Sequence, residues 1–174
     1  MRRALATLLL LVLAGAAACG SNGSTSEAPP WGLGSAALPD DETGIEAVIT
    51  AMPERVGGLE RTVGTEGIAA YGEDAGVMGF RLGPRTEDTP AGTASEYLRL
   101  LSTGELALSA GEMEKEEENL EGPLVYIVFN RVANGRHLYT IAFGVPDSET
   151  VFVVSAGSPV DREALVRAFV EATS

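Results

Sequence analysis

The sequence predicts an α+β domain, an antiparallel β-sheet flanked by helices. Three observations carry this expectation. Residues 124–132 and 137–143 are apolar, β-branched and aromatic runs that flank Asn134-Gly135, the favoured pair for a two-residue type I′ hairpin turn. With those two residues in the loop, Tyr126 faces Phe143, Val128 faces Ile141 and Asn130 faces Tyr139 on one side. Ile127 then faces Ala142, Phe129 faces Thr140 and Arg131 faces Leu138 on the other. Both sides are largely apolar, as in a sheet covered on both faces. Three further segments, near residues 45–52, 94–101 and 165–172, repeat apolar residues at helical spacing.

Residues 1–18 read as an export signal. Arg2 and Arg3 supply the positive start, residues 4–13 the apolar run, and residues 15–18 the small residues before cleavage. The run is shorter than the roughly 20 apolar residues a spanning helix needs. Cys19 is the one cysteine in the chain, so no intrachain disulfide can form. The stretch Ala16-Ala17-Ala18-Cys19 resembles the lipobox of bacterial lipoproteins, although that family usually has Leu where Ala16 stands. The resemblance implies that Cys19 is the lipid attachment site and carries acyl chains such as palmitate. It also implies a lipoprotein of the cell membrane, anchored on its extracytoplasmic face. Two acyl chains suffice for stable anchoring where one is marginal. Ala16 and Ala18 also satisfy an ordinary signal peptidase, and the alternative is a plain secreted protein with a free Cys19.

Residues 19–41 are rich in Gly, Ser, Pro and Ala and are expected to form a flexible tether with a reach of about 25 Å. Trp31 lies inside it. Because aromatic residues tend to be buried, Trp31 is expected to fold back onto the domain, the alternative being a partner or membrane-interface contact. Residues 42–174 are expected to form one domain, a length that supports a single core.

Within that domain, Asp40-Asp41-Glu42 places negative charge at a helix start. Ile45, Val48, Ile49 and Met52 form the helix's buried stripe, and Pro53 ends it. Val56-Gly57-Gly58-Leu59 reads as a turn. Short strands are expected over residues 60–63, 67–71 and 76–82, and residues 83–92, with Pro84 and Pro90, read as a loop. Thr93 and Glu96 form a T-x-x-E capping box for a second helix that buries Ala94, Tyr97, Leu98 and Leu101 and ends near Gly104. A strand is expected at residues 106–110. A third strand of the hairpin sheet is expected over residues 151–156. Ser158, Pro159 and Asp161 then open the last helix as N-cap, N1 and N3. The chain shows no internal repeat.

The chain has 12 basic and 25 acidic residues, a formal net charge of −13. Without Arg2 and Arg3 the balance is 10 against 25, or −15. Such acidity argues against nucleic acid, whose phosphates demand a basic surface. Residue usage, with Lys115 the single lysine against many Arg, Ala and Gly, fits a high-GC genome of the actinobacterial kind. His137 is the one histidine, and a lone histidine without a second His or Cys builds no ordinary zinc site. No G-x-S-x-G elbow, Walker loop, H-E-x-x-H or dinucleotide fingerprint is present. The acidic run Glu112, Glu114, Glu116, Glu117, Glu118 and Glu121 lacks the spacing of a calcium loop. It reads as a charged edge strand or turn that blocks edge-to-edge pairing. No catalytic, cofactor-binding or metal-binding residue is therefore assigned.

The second half of the chain resembles the PsbP-like superfamily of extracytoplasmic proteins, which includes LpqN-type lipoproteins. The residues that carry the resemblance are Asn119-Leu120-Glu121-Gly122, the strand Leu124-Val125-Tyr126-Ile127-Val128, and the Asn134-Gly135 turn. Tyr139-Thr140-Ile141-Ala142-Phe143, Val151-Phe152-Val153-Val154 and the helix over residues 162–172 complete it. The resemblance implies an α/β/α sandwich, no cofactor, and a role as an assembly or binding factor. The expected function is a non-enzymatic, lipid-anchored cell-envelope protein that binds a protein partner. The alternative is a lipoprotein that binds a small apolar ligand or lipid in a pocket between sheet and helix. A weaker option is a small hydrolase using His137.

Replacing the thiol tests the anchor. Cys19→Ser is expected to move the protein from the membrane fraction to the soluble fraction, read by fractionation of intact cells. Retention in the membrane fraction would refute the lipid assignment.

Overall fold

The structure, a computed structural model, describes residues 29–86, 91–106, 113–133 and 135–174. The export signal, Cys19, Glu112 and Asn134 lie outside the described residues. Helix α1 spans Glu42–Ala51. Asp41 caps it by accepting a 2.6 Å hydrogen bond from the Gly44 N–H, and Met52 ends it before Pro53. The expected stripe of Ile45, Val48, Ile49 and Met52 is buried.

Strands β1 (Arg55–Val56) and β2 (Leu59–Thr65) form a hairpin around Gly57-Gly58. Gly57 has φ +58°, a conformation that glycine adopts without steric cost. Strand β1 was not expected, because two residues are too few to show a period. Strands β3 (Ile68–Tyr71) and β4 (Ala75–Arg81) follow. Helix α2 spans Ala94–Ser102. Its capping box is formed, with Thr93 Oγ1 accepting from the Glu96 N–H at 3.3 Å and the Glu96 carboxylate accepting from the Gly92 N–H at 2.8 Å.

Strand β5 is Met113–Asn119, β6 is Val125–Ala133, β7 is Arg136–Gly144 and β8 is Thr150–Ala156. The strand expected at 106–110 falls outside the described residues beyond Leu106, which lies in a bend. The acidic segment itself forms β5, the edge strand. The register of β6 on β7 is the expected one, from Tyr126 opposite Phe143 to Ala133 opposite Arg136. Helix α3, Pro159–Ala172, begins as anticipated, with Ser158 Oγ accepting from the Asp161 N–H at 3.1 Å.

All eight strands join one antiparallel sheet in the order β1-β2-β3-β4-β8-β7-β6-β5. Two four-stranded meanders therefore meet where β4 pairs with β8. Side chains alternate across each strand, and two separate cores result. On one face, α1 and α3 cover Ala69, Tyr71, Val77, Ile141, Phe143 and Phe152. On the other, Leu98 and Leu101 of α2 pack on Ile127, Phe129, Ala142 and Val151. The first core centres on Phe143, Phe152 and Phe169, with ring centroids 4.9–5.8 Å apart. Each such aromatic pair adds about 0.5–1.5 kcal/mol beyond its buried area.

One expectation is corrected. The packed domain begins near Pro30, ahead of residue 42. Pro30–Ser35 forms 3-10 turns against α3. Leu33 is 1% exposed within the α1/α3 core, and Trp31 and Leu38 pack against it. The Gly/Pro composition reads as tether, yet one aliphatic and one aromatic side chain suffice to dock the segment. Trp31 does fold back, as expected.

The tightest packing is at Gly79 of β4. A Cβ there would lie 2.6 Å from Phe152 Cε1 and 2.8 Å from Ile45 Cγ2. Gly79→Ala is expected to destabilise the domain by about 1–3 kcal/mol, measured by urea unfolding. An unchanged midpoint would mean that α1 does not sit against β4 this closely.

Candidate functional site

His137 lies on β7 opposite Val132 and is exposed. It borders an open groove of about 630 Å³ with Met113, Glu114, Asn130, Arg131 and Val132. That groove offers an imidazole and a carboxylate, but no hydroxyl nucleophile among its described lining. Among the described residues no group of three metal-ligating side chains converges. No described helix is long and apolar enough to cross a membrane.

The glutamates of β5 are mostly engaged by their own sheet. The register shifts between Lys115 and Glu117, a bulge that puts two residues opposite one. As a result Glu116 and Glu117 both reach the α3 side. Glu116 accepts from Arg162 Nη1 at 3.0 Å and from Asn130 Nδ2 at 2.9 Å. Glu117 accepts from the Tyr126 hydroxyl at 2.5 Å. Glu118 points to the other side, where Lys115 Nζ donates to it at 2.6 Å and the Ser102 hydroxyl of α2 also donates. The Lys115 hydrogen bond, reinforced by that of Ser102, holds the Glu118 carboxyl below its ordinary range. Glu96 is lowered likewise, chiefly by the Gly92 N–H. Burial pushes the Tyr71 and Tyr97 hydroxyls up.

Arg162 is 5% exposed. Its guanidinium carbon sits 4.8 Å from the Trp31 ring centroid and 5.9 Å from that of Tyr139. Stacking on aromatic faces suits the weakly hydrated guanidinium. Its Nε finds no partner. Trp31 meanwhile holds φ +54°, a left-handed conformation that costs a non-glycine residue about 1–2 kcal/mol. The contact with Arg162 and the burial of Leu33 offset that strain.

Phe143, Phe152 and Phe169 fill the space under α3 with side chains of this chain. A groove of about 340 Å³ between α1 and the sheet is bordered by Glu42, Glu46, Glu66 and Arg81, a polar rim.

The unusual surface is the half of the sheet that α2 leaves open. Ala69, Tyr71 and Val77 point to α1 and α3, so their neighbours Ile68, Ala70 and Met78 point the other way. Met78 pairs with Ile68 and Val153, and Val63 pairs with Ala70, which places all of them on one face. Val63 is 44% exposed, and Ile68 and Met78 are each 39% exposed. A wet face of an antiparallel sheet normally alternates to polar residues. This one does not. The edge-to-face contact of Tyr97 on Phe80, at 5.5 Å, marks where the α2 cover stops.

Sequence reasoning singled out Cys19 and weighed His137 and the glutamates. It did not find the open face, because the alternation on β2–β4 looks the same whichever side is covered. Comparison with family models, curated proteins and solved structures finds no match to this chain.

The lowered Glu118 carboxyl has a pH consequence. A carboxyl depressed below its ordinary value of 4.5 contributes stability that is present above that value and is lost as pH falls through the folded one. Glu118→Gln is therefore expected to flatten the fall in Tm in the acid window below pH 4.5. Thermal melts of both proteins across that window check it, and parallel acid limbs would rule it out.

Proposed function

We propose that this chain is a lipoprotein held by Cys19 on the extracytoplasmic face of the cell membrane. Its PsbP-like α+β domain binds a protein partner, or acts as an assembly factor, without catalysis of its own. The observation that carries the reading is the aliphatic row Val63, Ile68 and Met78, left exposed on a sheet face while the cores beside it are packed. Exposed aliphatic side chains grouped on one sheet face favour an interaction site. The filled space under α3 favours a partner surface over a small ligand. Helix layers on both faces, with the last helix over the sheet centre, support the family resemblance.

The test is crosslinking in intact cells with the lipid anchor in place, followed by recovery of the chain. Ile68→Lys and Met78→Lys are expected to lower capture of the specific partner at least tenfold. Melting temperature and membrane retention are expected to stay unchanged, since both side chains are surface groups. Equal capture by the variants would remove this face from the reading.

A further inference from the structure

We infer that the entry segment Pro30–Ser35 is a releasable latch, closed over the Arg162 guanidinium and kept closed by the Glu116 carboxylate of the edge strand β5. The inference goes beyond the proposed function and does not depend on it.

Side chains hold this segment to the domain. Its hydrogen bonds outside the 3-10 turns run from the Ala36 N–H to the Leu33 carbonyl at 3.1 Å and from the Ser35 hydroxyl to the Gly32 carbonyl at 2.8 Å. Both close within the segment and its cap. Among the described residues, no hydrogen bond joins it to α1, α3 or the sheet. A segment with so little bonding to its surroundings can open at a free energy below that of global unfolding. What holds it is Leu33 in the α1/α3 core, Trp31 and Leu38 packed beside it, and the Trp31 ring over Arg162.

Two costs push toward opening. Trp31 holds φ +54°, a strained backbone that relaxes once the segment lifts. Arg162 Nε is a buried donor without a partner, and lifting the Trp31 ring admits water to it. The balance is set by charge. Arg162 is 5% exposed, and a buried cation is tolerated only when it is paired. Its ion pair among the described residues is with Glu116, at 3.0 Å. Asn130 Nδ2 fixes Glu116 in turn at 2.9 Å, and the bulge in β5 brings it to the α3 side. The carboxylate thus decides whether Arg162 stays dry under Trp31. Without that charge, hydrating the guanidinium outweighs the indole contact and the latch opens. Such coupling is reciprocal. An open latch exposes the Arg162–Glu116 pair to solvent, where screening weakens it, and the bulge of β5 loses its hold.

The experiment uses the purified full chain, in which Trp31 is the one tryptophan, so tryptophan emission reports the latch directly. Glu116→Gln keeps the shape of the side chain and removes its charge. It is expected to shift the emission to the red and to raise acrylamide quenching by about twofold or more, with far-UV circular dichroism unchanged. Adding Arg162→Met removes the buried cation as well. The double variant is expected to recover the wild-type emission and quenching, because a thioether packs on an aromatic ring without needing a counter-charge. Loose packing alone would make the two substitutions add. In Trp31→Ala, amide hydrogen exchange over residues 115–117 is expected to quicken while β6 and β7 stay protected. Wild-type quenching in Glu116→Gln, a double variant as open as the single one, a change seen only with loss of the far-UV signal, or unaltered exchange in β5 after Trp31→Ala would each overturn the inference.

Discussion

The pairing of β4 with β8 is the contact on which the rest of the molecule depends. Each meander is built by short turns and could form locally, but neither covers both of its faces alone. Strand β8 is the last strand and yet sits inside the sheet, with β4 on one side and β7 on the other. Its Phe152 stacks on Phe143, meets Phe169 of α3, and lies against the bare backbone of Gly79. One side chain thus ties both meanders to the last helix. Six residue pairs, from Gly76 opposite Ser155 to Arg81 opposite Thr150, hold the sheet along its middle, where no turn does.

The two outer regions of the sheet are managed in opposite ways. At one end, β5 is an exposed edge filled with glutamates. Bonds to Arg162, Tyr126 and Lys115 hold three of them in place, and the charge discourages a further strand from pairing. Toward the other end the edge is the two-residue β1, too short to template a neighbour. The adjacent face of β2–β4 is aliphatic and uncovered. The chain thus guards its edges against nonspecific pairing while leaving one apolar face open.

Arg162 ties the entry segment to the sheet. A buried cation is costly unless paired, and here Glu116 pairs it while the Trp31 and Tyr139 rings lie against it. The residues come from the entry segment, β5, β7 and α3. The way the chain enters the fold is therefore coupled to the acidic edge strand, which helps to hold the strained Trp31 backbone.

The amino-acid sequence by itself determined the features written in neighbouring residues. Asn134-Gly135 set the register of β6 on β7. Asp41, Thr93 and Ser158 set the helix starts, and Pro53 stopped the first helix. Arg2, Arg3 and the apolar run that follows set the expectation of export. These signals are local because turns and caps satisfy backbone groups within a few residues. Only the tertiary structure decided that β8 inserts beside β4, that residues 30–35 belong to the domain, and that the acidic run is a strand whose bulge turns Glu116 and Glu117 to the same side. It alone decided which sheet face stays open. Ile68 and Met78 carry the same period-2 pattern whether a helix covers them or not. Coverage depends on where a distant helix lands, and no residue near them encodes that.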